Sequence, residues 1–303
     1  MIMLKPTDMS KTALATHQGC MDGSGCTIMF LRAGGKLENV HFVAAGMVER
    51  FIKRDLPSLG DKFVIFADIG LNKKDGEKYA QELEKRGDCV LIDHHITSAH
   101  LKDKPWCDVR QEFCGTELLR QYLGLEDDSS KALAALIQDH DLWLRRDERS
   151  IELAAFTVFV GQDIFVERFK DRDVSKEFFT PMEQEMMKIM SRRRDQFIAA
   201  AIRKVVIKDV QWGESGDKLA KVGYIISPEM NVSLLLDTLL MEHTELDVGC
   251  QINLEKGSVS LRSRRGYDVS EMAAFYGGGG HKAASGHRIP EQITQQLIEG
   301  IHG

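Results

Sequence analysis

Several things are scarce in this sequence. The 303 residues include only 6 prolines and 6 cysteines. The cysteines stand at 20, 26, 89, 107, 114 and 250, with no CxxC pair and no spaced framework. That argues against a disulfide framework and predicts reduced thiols in a cytoplasmic protein. No apolar run approaches the roughly 18 residues of a membrane span. The opening "MIMLKPTDMSK" is too polar for a secretory signal. There is no repeat and no low-complexity segment. Positive charge is not in excess either: the net charge is −6 and the pI about 6.0, which argues against coating long nucleic acid.

What is present suits two globular domains. The first half alternates short apolar runs with helical patterns. "TALAT" (12–16), "VHFVAA" (40–45), "KFVIFADIG" (62–70) and "DCVLIDHH" (88–95) read as strands buried on both faces, as parallel strands are. Residues 75–87 read as an amphipathic helix closed by Gly87, and "GTELLRQYLG" and "SSKALAALIQDHDLW" as two more. Strand and helix in alternation predict an α/β doubly wound parallel sheet over 1–180. Residues 181–204 hold a long helix that starts at Pro181 and serves as connector. From 205 to 303 the pattern becomes α+β, with strands at "KVVIKDV", "LAKVGYIIS", "DVGCQINLE" and "SVSLRSRR". The last two are joined by a hairpin at Glu255–Gly257. Helices are expected at "NVSLLLDTLLMEH" and "ITQQLIEGI".

Three predicted strands of the first half end in ligand-type side chains. The first ends at His17, with Asp22 just beyond; the third at Asp68; the fourth at Asp93, His94 and His95. Ligands of an open parallel sheet bind beyond the carboxyl ends of its strands, so these residues should converge. "QDHD" adds Asp139, His140 and Asp141 at a helix end. Carboxylates and imidazoles without a thiolate cluster suit Mn²⁺, Mg²⁺ or Zn²⁺. There are more of them than one ion needs. Two ions sharing a carboxylate would use them, an arrangement suited to phosphoester hydrolysis.

In the second half, "YGGGGHKAASGH" (276–287) places four glycines before His281 and Lys282. Such a run lets backbone N–H groups approach an anion. No GK[ST] ends it, so it is not a Walker loop. Residues 206–303 carry 9 Lys and Arg against 13 Asp and Glu, yet Arg262, Arg264, Arg265, Lys282 and Arg288 all lie beside this stretch. A cationic spot in an acidic domain fits a small anion better than a polymer.

"LIDHHIT" with Asp68 before it, "QDHD" after it and "GGGGHKAASG" near the end resembles the DHH/DHHA1 phosphoesterase family over nearly the whole chain. The resemblance implies a DHH domain and a DHHA1 domain with the active-site cleft between them. It implies two divalent ions, Mn²⁺ first, with Mg²⁺, Zn²⁺ or Fe²⁺ as alternatives. His17 and Asp22 would bind the first and second ion, and Asp68 would bridge them. His94 would bind the second, oriented by Asp93, with His95 near the substrate phosphate. Asp139 would complete the second site, with Asp141 its rival. Gly278, Gly279, Gly280, His281, Lys282 and Arg262 would hold the substrate, and His95 and His281 would stabilise charge during in-line attack by a bound hydroxide. One departure stands out: Cys20 occupies a position where the family has an aspartate, either as a thiolate ligand or as a small buried thiol. Gly23 and Gly25 are expected to turn the backbone tightly beneath the metals.

The implied activity is hydrolysis of short linear nucleotides, either dinucleotides such as pGpG or oligoribonucleotides of a few residues. Cyclic dinucleotides, 3′,5′-bisphosphonucleotides and a non-catalytic nucleotide sensor are the alternatives. Long nucleic acid and membranes are not expected partners; homodimerisation is left open.

Overall fold

The computed structural model describes residues 4–290 except 45, 72, 214, 229–230 and 265, together with Ile293 and Gln296. The closing helix expected at 293–301 and Arg265 otherwise lie outside the described residues. The chain divides into two compact units, Met1–Met187 and Lys188–Gly303.

The first unit is built on a five-stranded sheet. Its strands are β1 (Ala13–His17), β2 (Val40–Val43), β3 (Val64–Ala67), β4 (Cys89–Asp93) and β5 (Cys107–Val109). They run parallel in the order β2-β1-β3-β4-β5. The apolar runs are continuous because both faces are covered. Leu14, Ile65, Val90 and Ile92 enter one core. Ala13, Ala15, Val64, Phe66 and Leu91 enter the other. Alternate residues of a strand point to opposite faces, which produces this split.

The first face is covered by α1 (Met21–Arg32), and further along the chain by α4 (Gly115–Leu123), α5 (Asp128–Asp141), α6 (Glu148–Val160) and α7 (Gln162–Phe169). The second is covered by α3 (Lys73–Arg86) and by α2 (Val48–Arg50), which continues as a π-helical turn over Phe51–Asp55. The order of strands reverses between β1 and β3, so a crevice opens at their carboxyl ends.

The helix α8 (Pro181–Ile202) starts with proline at its first position, where the missing N–H is not needed. Met187 packs in the first unit's core, Ile198 and Ile202 in the second unit's. The second unit is a six-stranded sheet of β6 (Val206–Trp212), β7 (Lys218–Ile226), β8 (Val248–Asn253), β9 (Ser258–Ser263), β10 (Gly279–His281) and β11 (Ala284–Arg288). Its order is β10-β11-β9-β8-β7-β6, with only β7 and β8 parallel. α9 (Val232–Glu242) packs on one face, α10 (Val269–Phe275) on the other.

The glycine-rich stretch is not an open loop. It forms the β10–β11 hairpin at the sheet edge, with Gly280 at φ +142° opposite Ser285. A Cβ on Gly278 would strike the carbonyl of Gly286, and one on Gly280 would lie 2.6 Å from that of Ala284. A Cβ on Gly279 would meet open space.

Candidate metal centre

The site begins in the turn after β1. Gly19 supplies it, at φ +77°. Gln162 of α7 holds it, accepting from Gly19 N at 2.9 Å and donating to the His17 carbonyl. Cys20 then caps α1, its Sγ accepting from Gly23 N at 3.1 Å. The expectation for Gly23 and Gly25 is corrected here: both lie inside α1, not in a turn. Glycine within a helix costs about 1 kcal/mol against alanine, and close approach explains it. A Cβ on Gly23 would strike the His17 carbonyl, and one on Gly25 would strike Thr116 and Ile137.

Asp22 points from the first turn of α1 to the start of α4. Its two oxygens accept from Gly115 N at 2.7 Å and Thr116 N at 2.8 Å. Neither Gly115 nor Thr116 was foreseen. The signal was a Gly-Thr pair opening a helix, where free N–H groups attract a carboxylate. Gly115 has no room for a side chain, since its Cβ would lie 2.7 Å from Asp68 Cβ.

Asp68 follows β3 in the left-handed region, at φ +56°, while its N–H still donates to the Ile92 carbonyl. Its two oxygens face different partners. Oδ2 is 3.3 Å from Cys20 Sγ, and Oδ1 is 3.3 Å from His94 Nε2. Cys20 Sγ is in turn 3.2 Å from His17 Nδ1. His94 Nε2 also lies 3.7 Å from Asp22 and 3.6 Å from Asp141. Two donor sets result, His17–Cys20–Asp68 and Asp22–His94–Asp141, each with its atoms within 4.8 Å of one another; Asp68 also groups with His94 and His95.

Asp139 does not join them. Its carboxylate accepts from Arg146 N, Asp147 N and Ser150 Oγ, at 2.9, 3.4 and 2.6 Å. It clamps the segment that leads into α6, so Asp141 takes the place expected of it. Asp141 continues the Leu133–Ile137 spacing of four along α5, a readable signal. A second correction concerns Asp93, which pairs with His95 Nδ1 at 2.7 Å rather than orienting His94. Residues two apart in extended chain share a side.

The electrostatics fit cations. Burial pushes Asp141 up to about 8, with the charges of Asp22 and Asp68 adding to it. Burial and then Asp68 also raise Asp22 and drive the Cys20 thiol well up. Burial disfavours the His94 imidazolium, but Asp68, Asp141 and Asp22 overcome it and raise His94 to about 10. His95 behaves likewise, raised to about 9 by Asp93 against burial. Two crowded carboxylates, Asp22 and Asp141, and a thiol that resist ionisation are what a donor set looks like before cations offset its charge. Nitrogen, oxygen and sulfur donors at these spacings suit divalent ions.

The other expected residues lie in the second unit. Arg262 is half-buried on β9 and donates to Ser233 Oγ at 3.0 Å and to the Leu261 carbonyl. Among the described residues no carboxylate pairs with it. His281 and Lys282 are exposed at the tip of the β10–β11 hairpin.

The fold and the ordered motifs resemble those of DHH/DHHA1 phosphoesterases. No family model matches it; the likeness is to individual proteins. The chain is 26% identical to the oligoribonuclease NrnB of Bacillus subtilis, over 92% of this chain and 73% of that one. It is 20% identical to a Helicobacter pylori 3′,5′-cyclic-nucleotide phosphodiesterase, over 75% and 76%. Among solved structures, RecJ of Thermus thermophilus in complex with Mn²⁺ aligns at a TM-score of 0.57 and 14% identity, over 98% of this chain and 54% of that one. A Vibrio pGpG-specific phosphodiesterase, PggH, aligns at 0.53 and 11%, over 96% and 97%. No described helix is long and apolar enough to cross a membrane.

Proposed function

We propose that this chain is a metal-dependent phosphodiesterase that hydrolyses short linear nucleotides: dinucleotides such as pGpG, or oligoribonucleotides of a few residues. The observation that carries the reading is Asp68, whose two carboxylate oxygens face two separate donor sets. His17, Cys20 and Asp68 would hold one ion; Asp22, His94, Asp141 and the same Asp68 would hold the other. Mn²⁺ is the first choice, as in the RecJ complex, and the sulfur of Cys20 keeps Zn²⁺ and Fe²⁺ in competition. When bound, such ions supply a nucleophile from water at neutral pH and offset charge on the phosphoryl oxygens.

The protein's own groups do the rest. Backbone N–H groups of α4 fix Asp22, so its direction does not depend on the ion. Asp93 holds His95 as an imidazolium at neutral pH, a charge suited to a phosphoryl oxygen. In the second unit Arg262, a guanidinium with no carboxylate partner among the described residues, suits a phosphate. Gly279, with no steric reason to be glycine, suits close backbone approach by an anion. His281 and Lys282 belong to the same substrate clamp.

The names of NrnB and PggH support short linear substrates. The Helicobacter relative makes cyclic nucleotides the second reading. The test is a screen of RNAs of two to ten residues, pGpG and cyclic dinucleotides with Mn²⁺ present. Turnover concentrated on the two- to five-residue linear substrates is expected. Binding without hydrolysis under every divalent ion would make the protein a sensor.

A further inference from the structure

Among the described residues, three other than glycine adopt left-handed backbone: Asp68 at φ +56°, Trp143 at +56° and Arg145 at +54°. Asp68 is the shared carboxylate. The other two follow Asp141 within four residues. Left-handed backbone is uncommon for a tryptophan or an arginine, and such strain gathers at functional sites because the surroundings must enforce it.

The enforcing contacts are visible. Trp143 N donates to the His140 carbonyl at 3.0 Å, and Leu144 N to that of Asp139 at 2.9 Å. The Asp139 carboxylate grips Arg146 N, Asp147 N and Ser150 Oγ. The Arg145 guanidinium lies over the indole, 4.1 Å from its centroid. His140 stands edge-on to it at 5.9 Å. Asp139 thus has a use other than binding metal: it clamps the segment that displays Trp143.

The display is what needs explaining. The chain has three tryptophans. Trp106 and Trp212 are 6% and 4% exposed, as packing residues should be, whereas Trp143 is 37% exposed. A rigid, exposed indole two residues beyond Asp141 has the chemistry of a stacking surface, since every nucleobase offers a π-face.

We propose that Trp143 is the surface on which a nucleobase of the substrate stacks, fixed from one side by Arg145 and from beneath by the Asp139 clamp. The proposal rests on the nucleotide reading above. It makes the first unit a reader of bases as well as a holder of metals, and it predicts a preference for nucleotides over simple phosphodiesters.

The test uses the full chain loaded with Mn²⁺ and two substrates, a linear dinucleotide and its abasic counterpart with the same phosphates. The readout is the ratio of their kcat/KM values. Wild type should favour the base-bearing substrate. W143A and W143L should lower that preference about 5- to 100-fold, the loss of one base–aromatic stack, chiefly through KM. W143F, which keeps a π-face, should retain most of it. An unchanged ratio in both W143A and W143L, or an equal fall on both substrates, would overturn the proposal. Wild-type hydrolysis of neither substrate would instead overturn the nucleotide reading on which it rests.

Discussion

Asp139 and Asp141 lie two residues apart, and the structure gives opposite signs for their replacement. Without metal, Asp141 is pushed from 3.8 to about 8 by burial and by Asp22 and Asp68. A carboxyl whose folded pKa is raised contributes stability that is full below about pH 4 and lost as pH rises toward 8. Each factor of ten in proton affinity is worth ~1.4 kcal/mol, so at pH 7 the loss has an upper bound of ~4 kcal/mol. The side chain is 29% exposed; screening by water reduces the figure to about 1–3 kcal/mol.

D141N stays neutral at every pH, so it removes that loss. Its metal-free form should melt above wild type at pH 7–8, by about 2–4 °C per kcal/mol, with the gap closing near pH 4. D139N should melt below wild type by about 1–2 kcal/mol, because an amide nitrogen would face the N–H donors of the clamp. Adding Mn²⁺ should raise the melting temperature of wild type and D139N, and that of D141N much less. Scanning fluorimetry with and without chelator across pH 4–8 reads all of this. A D139N variant that loses its response to Mn²⁺ while D141N keeps it would refute the reasoning.

Other consequences are as specific. Co²⁺ substituted into the protein should give a thiolate-to-cobalt charge-transfer band that C20S abolishes; a band that survives C20S would remove Cys20 from the ligands. G115A should weaken metal binding about 10- to 100-fold, since its Cβ would press on Asp68 at 2.7 Å and on Asp22 Oδ2 at 3.0 Å. Calorimetry showing wild-type affinity would mean that Asp22 is not held as described. R262A should raise KM for dinucleotides about tenfold or more with little change in kcat, as expected when one charge-assisted phosphate contact is lost; an unchanged KM would take Arg262 out of substrate binding.

Much of the site is written at strand ends. Asp68 and "DHH" follow apolar runs too continuous to be anything but buried parallel strands, and that placement alone brings them to one edge. The turn after β1 is less legible. Glycines at 23 and 25 look like turn residues, yet they lie in α1, and what requires them is contact with the carbonyl of His17 and with the side chains of Thr116 and Ile137, the last two distant in sequence. The choice between Asp139 and Asp141 depends on which carboxylate the segment before α6 consumes, a tertiary fact. The hairpin β10–β11 was hidden for a similar reason: glycines depress strand propensity, while close backbone packing against β11 requires two of them, Gly278 and Gly280.

The shared carboxylate is tested most directly by counting metals. Calorimetric titration of metal-free wild type with Mn²⁺ should find two ions per chain, and D68A should lose high-affinity binding of both together with dinucleotide hydrolysis. A D68A protein that still binds two ions and turns over dinucleotide at near wild-type rate would contradict the account.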